Sequence, residues 1–444
     1  MPDMSHLPRK WFSSRFARLV ILMILTFLML VPIGMVASVV AGRAWYHDTA
    51  VREVSATWGG AVRIAGPALV IPVERRWTEQ VKDNDGNVTV TERTAMSDPV
   101  ILLPETLDVA GDLTSSIRSR GVFEVPVFEA GLDLGFVFDA DSAAQGLTDR
   151  ETLLWDRSRV VLMLPDSRAF RGEAVLSRGT SVLKLEPGTS LEDIAGIQAA
   201  TGDPRGDQSY RMQMTLGGAK SFMLAPAGRQ TSLTLRSDWP HPSFGGDMLP
   251  QTREIADSGF VANWAVPHLV RNQPQKMRKP DQLAQLARSG FGVGFEDPVD
   301  FYHLSERAVK YGILFISLTF LTVFLMENTT KTSAHPAQLV LIGIAQSVFF
   351  LLLIALSEQI GFAAAYLSAS IATVVLLSFY GFKALGLERA GWVLTGTLSL
   401  LYGVMYLILK SEDYALLAGA VLAFVAVAVT MVWTRKEDWR QKAI

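Results

Sequence analysis

Residues 19–41, "LVILMILTFLMLVPIGMVASVVA", carry no charge, and a run of this length is enough to cross the roughly 30 Å of a bilayer's hydrocarbon. No comparable run follows until Tyr311. Five then come in close succession, at 311–326, 337–356, 361–380, 390–409 and 414–433. The first of the five is short, so Lys310 and Glu327 are expected to snorkel at its ends. The connections between the runs are brief, as in antiparallel neighbours of a helix bundle.

The long stretch between the first run and the other five has a different period. "NVTVTERT", "GLDLGFVF", "RVVLMLP", "GTSVLKLEPG", "SYRMQMTL" and "TSLTLRS" alternate or are β-branched, and Gly, Pro, Asn and Asp divide them. Asp85-Gly86 is a hairpin turn signal. Helical patches are few: "LEDIAGIQAA" from 191, and "PDQLAQLARSG" from 280 with Pro and Gly at its ends. The pattern predicts a β-sandwich-like domain, single or doubled, tethered at both ends to membrane helices.

Charge orients this arrangement. Arg9, Lys10, Arg15 and Arg18 precede the first run. Lys331, Lys383, Arg389 and the tail residues Arg435, Lys436, Arg440 and Lys442 share its side, whereas the opposite short loops hold only Lys410. The positive-inside rule places both termini in the cytoplasm. The expected organisation is a cytoplasmic N-terminus at 1–18, an anchor at 19–41, a periplasmic β-rich domain at 42–308, a five-helix bundle at 309–433 and a cytoplasmic tail at 434–444. Val39 and Ala41 would make a passable signal-peptidase site. The apolar run, however, exceeds the usual signal-peptide core of about 7 to 15 residues, so retention as an anchor is expected. The fold class is therefore a multi-pass α-helical membrane protein with six spans, one followed by five, and a large sandwich-like periplasmic domain after the first. Of the 444 residues 49% are hydrophobic, the net charge is −2 and cysteine is absent. Near-neutrality gives no sign of nucleic-acid binding, and no disulfide or thiolate site is possible.

Several enzyme signatures nearly form. Ser181-Val182-Leu183-Lys184 has the spacing of Ser-x-x-Lys but alternates like a strand and lacks the partner motifs. "GGAKS" from Gly217 breaks a phosphate-loop pattern at Ala219 and reads as a hairpin turn. "GFGVGF" from Gly290 lacks a strand-turn-helix context, and no Gly-x-Ser-x-Gly elbow occurs. The six histidines never take metal-ligand spacing. No catalytic, cofactor or metal site is predicted.

One stretch concentrates unusual residues: "SDWPHPSFGGDMLP", 237–250. Pro240 and Pro242 bar a central strand and bias Trp239 and His241 towards extended geometry. Gly245-Gly246 permits a turn, and Trp239 and Phe244 can bury large faces. His241 has no sequence-identifiable acid and Ser243 no nucleophile elbow. The stretch reads as a stiff structural corner that could also contact a partner.

The six runs contain no Asp, Glu, Lys, Arg or His, which disfavours a pump or ion-coupled transporter. Gln338, Gln346, Tyr380, Tyr402, Tyr406 and the hydroxyl residues read as interhelical glue or interface anchors. Glu358, after the second of the five runs, is the exception by position. It reads as a solvated loop carboxylate, or as a partner for the outer domain or Lys310.

Four segments together resemble the CreD family of bacterial inner-membrane proteins: "GPALVIPV" at 66, the stretch from Ser237 through "QTREIADSGFVANW", "DPVDFYHLSERAVKYGILFISLTFLTVFLME" at 297, and "HPAQLVLIGIAQSVFFLLLIALSEQIGFAAAY" at 335. The resemblance covers essentially the whole chain. It implies one anchor, a periplasmic β domain and a C-terminal bundle. It further implies expression under a two-component regulator and a role in envelope maintenance, including colicin tolerance and β-lactam response. It supplies no catalytic or ligand residues. Two positions depart from the family pattern: Gln359 stands where a relative has His, and Leu339 where one has Tyr. Gln359 weakens any Glu-His proton device there.

Two function classes follow. One is a non-enzymatic envelope factor held in the lipid bilayer, whose domain binds an unidentified periplasmic protein or ligand. The other is a transporter or lipid-handling protein that uses the bundle, for which a polar groove among its helices would speak. A periplasmic hydrolase lacks every signature sought.

Overall fold

A computed structural model of the chain describes residues 15–82, 88–206, 208–295, 301–330, 334–384, 390–411 and 415–435. Its helices are α1 (Arg15–Leu28), α2 (Leu30–Trp58), α3 (Pro280–Leu286), α4 (Phe301–Thr330), α5 (Pro336–Ile360), α6 (Phe362–Lys383), α7 (Ala390–Lys410) and α8 (Ala415–Thr434). The chain divides into two compact units, Met1–Asp48 with Val299–Ile444, and Thr49–Pro298.

The first unit is helical. The stretch Arg18–Trp58, helical except at Met29, and four more helices, Phe301–Glu327, Pro336–Ile360, Phe362–Lys383 and Gly391–Lys410, are long and apolar enough to cross a membrane, and Leu417–Val432 adds a shorter apolar helix. These are the six spans of a multi-pass protein. Pro32 explains the single-residue interruption at Met29 between α1 and α2, because its ring crowds the Leu28 carbonyl and offers it no N–H. The helix does not stop where the charge-free run ends at Ala41 but continues to Trp58, and α4 begins at Phe301, ahead of the apolar run it carries. Interhelical glue is present as the residue types imply. Gln346 Nε2 donates to Thr319 Oγ1 at 2.8 Å, Tyr366 OH to the Tyr402 carbonyl at 2.6 Å, and Thr395 Oγ1 to Ser378 Oγ at 2.8 Å.

The second unit is a sandwich of two sheets, one of ten strands and one of eight among the described residues, around a shared hydrophobic core. The ten-stranded sheet is organised on the long strand Val62–Lys82, which pairs antiparallel with Val88–Leu102 and Arg159–Met163 and parallel with Ser221–Leu224. In the eight-stranded sheet the hairpin Thr106–Arg120/Phe123–Val137 is central, and Gln230–Ser237 runs parallel to its first strand. Alternation does what period two predicts: Leu107, Val109 and Leu113 face inward while their neighbours face out. The sheets meet through aromatic contacts such as Phe128 stacked on Phe295 at 4.6 Å. The end of α2 belongs to this unit. Val51, Val54 and Trp58 pack on Val125, Val127 and Ala219, and the guanidinium groups of Arg118 and Arg171 each lie 4.6 Å from the Trp58 ring.

Two local expectations are corrected. The stretch from Leu191 is not a helix: Gly196–Ala200 is a strand paired with Arg159–Met163. Ser190 and Asp193 adopt φ of 56° and 58°, which an α-helix does not accept, and Thr189 Oγ1 closes the turn by donating to the Ile194 carbonyl at 2.6 Å. "GGAKS" is a crossing between sheets rather than a hairpin. Ser209–Ala219 lies in the eight-stranded sheet and Ser221–Leu224 in the ten-stranded one, with Lys220 at φ 72° between them. Its glycines serve packing, since a Cβ on Gly218 would come within 2.4 Å of the Phe128 ring. The helix at 280 and the strand at 181–183 form as their patterns require, and Phe291–Phe295, within "GFGVGF", is a strand as well. The Asp85-Gly86 turn lies outside the described residues.

Candidate functional site

The 237–250 stretch makes the step between the two sheets. Gln230–Ser237 ends in the eight-stranded sheet, and Pro242–Gly246 resumes at the edge of the ten-stranded one, paired with Phe291–Phe295. Pro242 is the first residue of an edge strand, a place where a missing N–H is tolerated. Between the strands Trp239 is half-buried, its ring 6.1 Å from Phe295 and its Nε1 donating to the His241 carbonyl at 2.9 Å. Pro240 is half-buried too, and Phe244 packs edge-on against Phe260 and Trp264. Gly246 turns the chain at φ 96°, and Asp247 clamps the exit: its N–H donates to the Gly290 carbonyl at 2.9 Å and its Oδ2 accepts from the Gly290 N–H at 3.0 Å. His241 and Ser243 are exposed. Nothing pairs their side chains as base and nucleophile, and among the described residues no three His, Asp or Glu side chains converge as a metal site.

The helical unit holds a more constrained constellation. Arg43, on α2, donates from Nε to Glu358 Oε1 at 2.7 Å and from Nη2 to Oε2 at 2.6 Å. The hydroxyl of buried Tyr302, on α4, donates to the same Oε1 at 3.0 Å, and the His47 ring lies 5.1 Å from the Tyr302 ring. Three helices thus meet on one carboxylate, whose side chain is only 12% exposed. Glu358 is therefore not a solvated loop residue, nor is it paired with Lys310, which bonds Glu306 at 2.9 Å.

A second pair joins the other end of the first span to the bundle. Arg18 on α1 bonds Glu327 on α4, and Glu327 Oε1 also accepts from the Ala334 N–H at 2.7 Å. Glu327 is 9% exposed and so does not snorkel, because a partner beside it removes the need to reach water. At 1.5 Å per residue Arg18 and Arg43 stand about 37 Å apart along the helix, slightly more than the roughly 30 Å hydrocarbon core. The first span is pinned to its neighbours near both membrane faces.

Such an arrangement fastens helices: each acid has an arginine counter-ion and a further donor. Arg43, Tyr302 and Arg18 were not visible as site residues in the sequence, where they are ordinary flanking positions. The one signal was reciprocal: a cation beyond each end of the first run, and an acid at the ends of two later ones.

Residues 14–440 match the family described as Inner membrane protein CreD. The chain belongs to the CreD family. A CreD relative, the Inner membrane protein CreD of Escherichia coli (strain K12), is 33% identical over 421 residues, covering 93% of this chain and 91% of its own length. Family membership makes this an inner-membrane protein, in keeping with the apolar helices. A solved two-domain M1 zinc metallopeptidase aligns with 75% of this CreD-family chain and 94% of its own at 11% identity and a TM-score of 0.22, a likeness too slight to carry any argument about fold or chemistry.

Proposed function

We propose that this chain is a non-enzymatic inner-membrane protein that supports the integrity of the cell envelope. In this reading both termini are cytoplasmic, the two-sheet unit is periplasmic, and that unit binds an envelope protein or ligand while the helices hold it in the bilayer. The observation that carries the reading is how the polar side chains are used. At the 237–250 corner and at Glu358 they fasten structural elements to one another, and none is assembled as a nucleophile with its base. Orientation rests on the positive-inside rule applied to the short loops. Trp239, Pro240, Pro242 and Phe244 serve as structure, and the exposed rim at His241 and Ser243 is the proposed contact surface.

The test is photo-crosslinking in intact cells, with the crosslinking residue at Ser243 or at exposed Leu249. Recovery of one envelope component from both positions supports the reading. Failure to recover any adduct from a chain that still complements a deletion strain's envelope defect would count against a partner at this face.

Lipid handling is the second reading, and one observation favours it over ion transport. The acids at the ends of the helices are neutralised by arginines, whereas α6 and α7 enclose an open groove with hydroxyl groups along its floor.

A further inference from the structure

The groove between α6 and α7 has a volume of about 650 Å³, within the range of small-molecule sites. One wall is the ladder Leu367, Ile371 and Val375 on α6, each more than half exposed. The opposite wall is α7, where Gly403 leaves open space: no atom lies within 4 Å of the position a Cβ would take. The floor contains Tyr366 and Tyr402, and the Tyr366 hydroxyl is spent on the Tyr402 carbonyl. An apolar chain can therefore lie on it without stranding that donor.

Length and charge define the occupant. The groove's lining on α6 runs from Ala363 to Val375, roughly 18 Å of helix, close to the depth of one leaflet of a 30 Å core. At one end Tyr406 closes the lining, and the Lys410 ammonium sits over its ring, 5.4 Å from the centroid. An apolar channel one leaflet deep, with a cation at its mouth, has the chemistry of an acyl chain joined to a phosphate. The last apolar helix, α8, contributes no residue to the groove's lining; it packs on α7 and on α4, where a Cβ at Gly419 would lie 3.2 Å from the Tyr311 ring.

We propose that the α6–α7 groove binds one anionic phospholipid, with an acyl chain along Leu367, Ile371 and Val375 and the headgroup phosphate on Lys410. The purpose of such a site rests on the lipid-handling reading, but its existence does not. Binding is measured on purified protein, whereas that reading stands or falls on complementation in cells.

The experiment is native mass spectrometry of the full chain, titrated with phosphatidylglycerol or phosphatidylcholine of matched chains. The unmodified protein should retain one phosphatidylglycerol in preference to phosphatidylcholine by about fivefold, the effect of one lysine near an anionic headgroup. Lys410→Gln should erase that preference and leave chain binding, while Lys383→Gln, at the other end of α6, should leave it intact. Gly403→Leu fills the groove and should abolish retention of both lipids, and Ile371→Trp does the same from the facing wall, should either variant fold poorly. Millimolar inorganic phosphate should not displace the lipid; displacement would mean that a free anion is the ligand. Equal retention in the unmodified protein, Lys410→Gln and Gly403→Leu would overturn the proposal. So would a change of oligomeric state in Gly403→Leu with lipid binding unaltered, which would assign the groove to a second copy of the chain.

Discussion

Arg43 and Glu358 face each other side-on through two hydrogen bonds, 2.7 and 2.6 Å long, although 315 residues separate them in the chain. Removing one partner from such a pair leaves a charge with nothing to balance it, at a cost of roughly 3–5 kcal/mol when burial is complete. Arg43 keeps 36% of its side-chain exposure, so Glu358→Ala is expected to fall below that range, at about 2–3 kcal/mol. Arg43→Glu should be as harmful, and the exchange Arg43→Glu with Glu358→Arg should recover much of the loss. Tyr302→Phe deletes one hydrogen bond and should cost only about 1 kcal/mol. Thermal midpoints of the purified full chain in detergent provide the measurement, and additive effects of the two charge variants would show that the pair does not hold the helices together.

How this pair escaped the sequence is a matter of physics. Hydropathy ends a span at its first charge, so Arg43 and Glu358 looked like loop residues. A paired charge can stay at the membrane boundary, and only the three-dimensional pairing reveals which charges are paired. The spans and most strands were legible because hydrophobic period is a local property. The β-rich character of the middle, the helix at Pro280 and the corner at Pro240 and Pro242 followed from local rules too. The stretch at Leu191 failed because ten residues of mixed period fit helix and strand alike, and the left-handed turns at Ser190 and Asp193 carry no glycine to announce them. That "GGAKS" changes sheet could not be seen either, since a glycine pair signals a turn equally well as a place where a phenylalanine ring needs room.

Topology is open to direct test. With the basic loops inside, a reporter active only outside the inner membrane should work when fused near residue 150 or in the loop after Lys410. It should fail when fused after Lys383 or at the C-terminus. An active C-terminal fusion would overturn the orientation and with it the periplasmic placement of the two-sheet unit.

Residues 44–305 expressed alone should give a β-dominated far-UV circular dichroism spectrum, and a mainly helical one would contradict the sandwich. Its acid sensitivity should depend in part on Glu151. That carboxylate accepts from the Thr148 N–H at 3.1 Å and from Arg278 Nη2 at 2.8 Å, and these bonds, the Thr148 N–H first, hold its pKa below the usual carboxylate value. A carboxylate whose pKa falls on folding stabilises the fold above its unfolded pKa of about 4.3, and the contribution fades as pH drops through the lower folded value. Glu151→Gln should therefore lower the thermal midpoint at pH 7 and converge with the unmodified domain at acid pH. A difference that persists unchanged at pH 2 would remove Glu151 titration as its cause.

The corner at Trp239 separates structure from chemistry by substitution. Trp239 is half-buried, leaning on Phe295 and bonded through Nε1 to the His241 carbonyl. Truncating a fully buried tryptophan costs about 3–5 kcal/mol; Trp239→Ala should fall below this, near 2 kcal/mol, and reduce the amount of protein in the membrane. Trp239→Phe keeps the ring contact and loses the hydrogen bond, so it should recover most of that amount. His241→Ala should be mild for a specific reason: the bond from Trp239 ends on the main-chain carbonyl, which alanine retains. Ser243→Ala should be mild as well, because Ser243 joins the edge strand through its backbone, in register with Gly294. Immunoblotting of membrane fractions alongside an envelope-sensitivity assay reads both quantities. If His241→Ala or Ser243→Ala abolished the envelope phenotype at normal protein level, the side chain itself, and not only the backbone and shape of the exposed rim, would make the proposed partner contact.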